Sequence, residues 1–565
     1  MAGSGAQFGG PLGWLSTVQA RVDPLGWGPA TAGALARSAR HPVALSAAAV
    51  KLAVGAAQSP VATMRSALSL PEAAPVSPDR TDARFAHPAW NQNPYFFAVR
   101  QAYELGCRFV DDVLAAGSGD DIADLKAAMV LHLVTDALSP TNFLATNPAA
   151  LTSALQTGGK SLARGARLAL DDLRYRRGMP AKVDASAFTL GANLAATPGS
   201  VVFRNDLIEL IQYAPQTEDV HAIPLLGSPP WINKYYVLDL APRRSLVEWA
   251  VKHGRTVFMI SYRNPDESMR DLSMDDYLEQ GIVAALDAIT EITHAEKIDV
   301  VALCLGGAMA AMASAYFAAR NDDRIGSLTL LNTMLDYSAP GELRAFADPE
   351  SVARIQLRMR GRGYLEAEDM AMAFDLLRAR DLIFRYVPDR WLMGEEAAPF
   401  DILAWNGDST RMPAAMHSAY LAQLYGENQL ARGRFMLGGE LLNLDAVKSD
   451  TYIVGAVNDH IVPWHASYAS TGLLGGNTRY VLSSGGHIAG AVNPPSPKAW
   501  FETSEMQTDD PEVWRTEAVR TSASWWEDWA EWSATRAGPR VAAPTGLGSA
   551  RHPALCDAPG QYVLA

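Results

Sequence analysis

The chain has 565 residues, with 48 Lys and Arg against 61 Asp and Glu for a formal net charge of −13; 48% of it is hydrophobic and 19% charged. This composition excludes a disordered or fibrous protein, and the acidic balance excludes a nucleic-acid or anionic-membrane binder acting through its whole surface. Three widely spaced cysteines, Cys107, Cys304 and Cys556, make neither a disulfide framework nor a zinc cluster, so no metal site is expected and each thiol is judged by its own context.

Met1 to Gly10 lacks a basic stretch followed by an apolar one, so no signal peptide is read. The most apolar early run, Val43 to Ala57, is interrupted by Lys51 and too short to span a bilayer, so no transmembrane segment and a cytoplasmic location are expected. Residues 1–80 are rich in Ala, Gly, Pro and Ser. They read as a flexible segment carrying an Ala-rich helix at Pro42–Ala56 and a linker at Leu70–Pro78. Apolar spacing of three and four then predicts helices over Asn93–Gly106, Asp120–Leu133 and Leu151–Leu173, a mostly helical domain over 81–195.

From Thr197 strands and helices alternate. Strands are expected at Ile223–Gly227, Thr256–Ser261, Ile298–Leu303, Ser327–Leu331, Thr451–Gly455 and Tyr480–Leu482. Helices fall at Ser245–His253, Met274–Ile292 and Ala308–Ala319. Apolar rather than alternating strands indicate a parallel sheet covered on both faces. The rhythm lapses between about 336 and 443, a helical insertion of the kind that caps a site. Residues 196–565 thus read as an α/β-hydrolase fold with a helical cap insertion.

Ala302-Leu303-Cys304-Leu305-Gly306-Gly307 runs from a strand straight into a helix, a nucleophile elbow with cysteine in the serine position and Ala302 where a glycine is usual. Gly306 leaves room for close packing, and the N–H of Leu305 at the positive helix end suits an oxyanion. The alternative for an isolated cysteine is an inert buried thiol. Such an elbow is followed in chain order by an acid and then a histidine. Asp459 and His487 stand just past the last two strands, 28 residues apart, as one helix-plus-strand unit requires. His460 and Trp464, in the acid's motif, read as supporting residues. Trp525, Trp529 and Trp532 share one helix face and read as core.

Taken with further segments, these residues resemble the poly(3-hydroxyalkanoate) synthases. Asp136–Pro148, Thr197–Asp206, Leu210–Tyr213 and Pro229–Tyr236 are similar to the family's N-terminal domain and its entry into the catalytic domain. Trp405-Asn406-Gly407-Asp408-Ser409-Thr410 resembles its cap, Asp459–Trp464 and Gly486–Gly490 its acid and base loops, and Ala558–Val563 its C-terminus. The resemblance runs from about residue 85 to the end, and the full helical N-terminal domain is similar to that of single-component synthases. It implies (R)-3-hydroxyacyl-CoA as substrate, Cys304 as the acyl carrier, His487 as base and Asp459 as its orienting acid. It also implies coenzyme A as product rather than resident cofactor, a growing polyester chain and granule surface as partners, and a homodimer. Competing readings are a cysteine-nucleophile esterase or polyester depolymerase of the same fold, and a non-catalytic granule-coating protein.

Overall fold

The computed structural model describes Asp23, residues 26–68, Leu70, and residues 74–77, 82–119 and 121–565. Met1 to Gly10 and part of the linker read at 70–78 lie outside the described residues.

The apolar runs enter one eleven-stranded sheet. Its strands are β1 (Gly199–Arg204), β2 (Ile208–Tyr213), β3 (Leu225–Ser228), β4 (Val257–Tyr262), β5 (Ile298–Leu303) and β6 (Ile325–Leu331). They continue with β7 (Asp450–Ala456), β8 (Thr478–Ser483), β9 (Phe501–Thr503), β10 (Val519–Thr521) and β11 (Cys556–Asp557). The order across the sheet is β10-β9-β8-β7-β6-β5-β3-β4-β2-β1-β11. The centre, β4-β3-β5-β6-β7-β8, is parallel, with Ala302 opposite Leu330 and Leu331 opposite Val454. Every residue of β5 is buried, which is why this strand reads as an unbroken apolar run.

Both flanks depart from the expected parallel sheet. β2, β1 and β11 on one side, and β9 and β10 on the other, run antiparallel to their neighbours. Short connections allow this. Between β1 and β2 the Asn205 side chain accepts hydrogen bonds from the N–H groups of Leu207 and Ile208, closing a local turn. β10 is exposed throughout, so it carries no apolar signal.

The chain divides into two compact units: Met1–Asp184 with Met372–Ala398, and the remainder, which contains the sheet. The stretch 336–443 is therefore not one cap. Its first and last parts, including helices Pro349–Met359 and Ala414–Ala419, stay with the sheet, while Met372–Ala398 joins the helical unit. There Asp172, fully buried, accepts from Arg390 Nε at 2.6 Å and Trp391 Nε1 at 2.8 Å, and Asp375 pairs with Lys182 at 2.6 Å. Leaving any one of these buried charges unpaired is costly, which ties the excursion to the unit.

That unit contains α1 (Trp27–Ser38), α2 (Pro42–Ala67), α3 (Pro94–Ala116), α4 (Asp121–Ala137), α5 (Pro148–Gln156) and α6 (Lys160–Tyr175). The single helix expected over Leu151–Leu173 is broken by Gly158 and Gly159, both at positive φ. The flexible segment expected over residues 1–80 is, in its described part, largely helical. α2 buries Ala48, Gly55, Ala62 and Ser66, and at Gly55 the Leu105 side chain of α3 occupies the space a Cβ would need. Small residues bury little area but admit close helix packing, which composition alone does not convey. The expectation that this run is too short to span a bilayer also fails: α2 has 26 residues, long and apolar enough by length and composition to cross a membrane. Its outer face exposes Val43, Val50, Val54, Val61 and Met64.

Candidate active site

β5 delivers Cys304 to the turn before α7 (Leu305–Ala319), at φ 53° and ψ −115°. This conformation is strained for a residue with a Cβ and persists only if its surroundings impose it. The Cys304 N–H donates to the Leu331 carbonyl at 2.9 Å on the neighbouring strand. A Cβ on Gly306 would collide with the backbone of Ser228 and Pro229, and one on Gly307 with the Thr333 side chain. Both glycines are therefore steric requirements of the elbow. Ala302 is fully buried, and its methyl is accommodated in the strand.

Leu305 heads α7, so its N–H has no intrahelical acceptor. The loop pressed on Gly306 begins Pro229-Pro230, neither of which has an N–H, so the first it presents is that of Trp231.

The acid and the base arrive on the loops after β7 and β8. These loops are joined by the Asn458 N–H donating to the Gly485 carbonyl at 2.9 Å. Asp459 is buried; Oδ1 accepts from the N–H groups of Ile461 and Val462, each at 2.9 Å, leaving Oδ2 for His487 Nδ1 at 2.7 Å. Burial opposes charging of the imidazole, but Asp459 and the Cys304 thiol outweigh it and raise the His487 pKa from 6.5 to about 10. Cys304, His487 and Asp459 are thus brought together.

His487 opens α8 (His487–Ala491), a helix too short to satisfy its own carbonyls. Side chains from distant elements do so. Asn332 donates to the His487 carbonyl, Trp525 Nε1 to that of Gly490 at 2.8 Å, and Trp526 Nε1 to that of Ala491 at 3.0 Å. Of the expected tryptophan stripe, Trp525 and Trp529 are buried core and Trp532 is half-buried, while Trp526, off that face, is buried as well. The indoles of Trp525 and Trp526 also fix the base helix.

The remaining expected residues stand further out. His460 is half-buried beside Asp459, and it is Asp459 that meets His487. Trp464 packs in its own helix, with its ring 3.9 Å from that of His465 and its carbonyl accepting from Tyr480. Trp405 donates to the Lys234 carbonyl at 2.8 Å, while Lys234 and Tyr236 both hold Asp408, at 2.9 and 2.8 Å. These contacts lie within the sheet unit and fasten the helix Asp401–Gly407 and the residue after it to the stretch following β3. Cys107 and Cys556 lie outside the site, and burial raises both thiols. Among the described residues no group of three or more His, Cys, Asp or Glu is placed to hold a metal ion.

Sequence reading missed an aromatic wall of Trp231, Tyr337, Tyr420 and Tyr425, all but Tyr425 almost fully buried. The Tyr337 and Tyr425 rings are 4.8 Å apart and those of Tyr420 and Tyr425 5.3 Å. Burial pushes all three phenols upward, and the Cys304 charge adds to the effect in each. Tyr420 and Tyr425 are five residues apart on the π-helical Tyr420–Gly426, whose i→i+5 pattern brings them toward one face. A Tyr-x4-Tyr spacing in a helical stretch was the only trace in sequence.

A strained elbow on a parallel sheet, with an acid and a histidine after later strands in that order, defines a protein of the α/β-hydrolase fold. Residues 220–494 match the family model for that fold, and residues 81–250 match the model described as the poly-beta-hydroxybutyrate polymerase (PhaC) N-terminus. The chain is 43% identical to a poly(3-hydroxyalkanoate) polymerase of Methylorubrum extorquens over 86% of its own length and 81% of the relative's. It is 41% identical to the polymerase subunit PhaC of Cupriavidus necator, covering 86% and 83%. Against polymerase 2 of Ectopseudomonas oleovorans it is 40% identical, covering 87% and 88%. The chain belongs to the poly(3-hydroxyalkanoate) polymerase family, whose activity is acyl transfer.

Proposed function

We propose that the chain polymerises (R)-3-hydroxyacyl-CoA thioesters through an acyl group carried on Cys304. The observation that carries this reading is the buried Asp459–His487 pair set against a thiol in a strained elbow. His487 takes the Cys304 proton, and the thiolate attacks the thioester carbonyl. The oxyanion is met by the N–H of Leu305 and, across the elbow, that of Trp231. As the carbon–sulfur bond to coenzyme A breaks, the leaving thiolate takes the proton from His487. The base is then free to accept the proton of an incoming 3-hydroxyl, whose oxygen attacks the acyl-cysteine and restores the thiolate–imidazolium pair.

Cysteine suits this sequence because thioester-to-thioester exchange is nearly isoenergetic, so the activated bond survives until the hydroxyl arrives. Oxyester formation then drives elongation. An unperturbed thiol is only a few per cent thiolate near pH 7, and the base contributes about 10²–10⁴-fold. Asp459 favours the imidazolium, which in turn favours the thiolate. Water must be kept from the acyl-cysteine, and the aromatic group whose phenols feel the Cys304 charge suits that task. No step calls for a resident cofactor.

The same reading places the protein as a homodimer at the surface of its polyester granule, and the exposed apolar face of α2 offers a contact for an uncharged polymer. The test is incubation with (R)-3-hydroxybutyryl-CoA while following free coenzyme A and insoluble polymer together. Both are expected. Coenzyme A without polymer assigns the site to hydrolysis, and neither product assigns the chain to a non-catalytic role.

A further inference from the structure

The dipeptide after β6 touches all three arms of the site. Leu331 accepts from the Cys304 N–H at 2.9 Å, and the Asn332 N–H donates to the Val454 carbonyl, on the strand leading to Asp459, at 2.7 Å. The Thr333 hydroxyl lies 3.3 Å from the Cys304 carbonyl and 3.1 Å from that of Leu331. The Asn332 amide donates to the carbonyl of His487, 155 residues away. Asn332 and Thr333 are both fully buried.

The local chemistry is specific. Asn332 sits at φ 44°, a conformation that asparagine tolerates better than most residues and that β-branched residues avoid. Its Nδ2 faces the carbonyl while Oδ1 has no partner, an arrangement a protein retains only at a cost in stability. Gly307 has no Cβ where Thr333 packs. One short segment therefore fixes the backbone of the nucleophile on one side and the backbone of the base on the other.

We propose that Asn332 is a positioning residue, and that with Thr333 it forms a bracket setting the separation of Cys304 from His487. The role rests on the acyl-cysteine reading above and adds to it a determinant outside the triad. Releasing the His487 carbonyl lets α8 shift by a fraction of an ångström. The Nε2–Sγ hydrogen bond loses alignment, and the thiolate–imidazolium pair weakens.

Two variants of the full-length chain test this. Asn332→Asp keeps the size and the tolerance of positive φ but replaces the donor with an acceptor. Asn332→Gly keeps the backbone conformation and removes the side chain, so it remains informative if the first fails to fold. The readouts are kcat and KM with (R)-3-hydroxybutyryl-CoA, and the pH profile of Cys304 alkylation by iodoacetamide. The expected result is a fall in kcat of about tenfold to a hundredfold, the scale of a displacement of up to about 1 Å, with KM within about twofold. The acid limb of the alkylation profile moves toward that of a free thiol. Thr333→Val is expected to lower kcat in the same direction, and Thr333→Ser to restore it. Unchanged kcat and alkylation profile in folded Asn332→Gly overturn the bracket. An ordinary thiol profile in the parent protein instead overturns the triad reading, so the two failures are distinguishable.

Discussion

Replacing Asp459 with asparagine changes one atom type and, because of how the carboxylate is held, forces a defined rearrangement. Oδ1 accepts two backbone N–H groups at 2.9 Å, and an amide keeps those bonds only by presenting its own oxygen to them. The amide NH₂ is thereby turned toward His487 Nδ1, where Oδ2 now lies at 2.7 Å. A donor at that position requires Nδ1 to be the acceptor, which leaves the proton on Nε2, facing Cys304. The imidazole then cannot take the thiol proton. The equivalent substitution in serine-nucleophile triads lowers kcat by about 10⁴-fold through the same wrong tautomer. A loss of about 10³–10⁴-fold is expected here, equal to about 4–5.5 kcal/mol of transition-state stabilisation. Both loop bonds survive, so the thermal midpoint should stay within a few degrees. The assay is the initial rate of coenzyme A release from (R)-3-hydroxybutyryl-CoA, with thermal unfolding followed in parallel. Folded Asp459→Asn protein retaining more than a tenth of the parent rate refutes the orienting role and leaves Asp459 as a loop clamp.

Cys304→Ser should form polymer at a small fraction of the parent rate, since an oxyester intermediate forfeits the thioester's free energy; near-full polymerisation counts against the need for a thiol. Trp525→Phe removes one of the two donors to the Gly490 carbonyl, the Ser483 hydroxyl being the other, and should cost about 0.5–1.5 kcal/mol of stability with a fall in kcat. Trp532→Phe, at a half-buried position, should do neither; equal effects of the two substitutions contradict the role given to Trp525. Burial lowers the His417 pKa from 6.5 to about 4, so the folded state holds the neutral ring. Its contribution is present above about pH 6.5 and is lost as pH falls toward 4. His417→Leu should therefore flatten the fall in thermal midpoint between pH 7.5 and 5, and parallel curves for parent and variant contradict this.

Legibility followed burial and locality. β5 to β8 lie in the sheet interior and read as apolar runs, and the elbow, acid and base sit at their ends in an order the chain displays. β10, exposed at every residue, and β11, two residues long, left no pattern. The excursion Met372–Ala398 was hidden because Arg390–Asp172 and Lys182–Asp375 link residues about two hundred positions apart. Asn332 shows the same limit within the site. Nothing near it in the chain announces that its amide meets His487, whereas the Asp459–His487 pairing was readable from strand context alone.

The proposed mechanism runs through a covalent acyl group on Cys304, and trapping that group is the most direct measurement. Radiolabelled (R)-3-hydroxybutyryl-CoA is mixed with the protein, quenched in acid within the first turnovers and digested for peptide mapping. Label is expected on the peptide bearing Cys304, releasable by neutral hydroxylamine as a thioester is, and absent from Cys304→Ala. Label elsewhere, or coenzyme A release with no labelled peptide, contradicts the account.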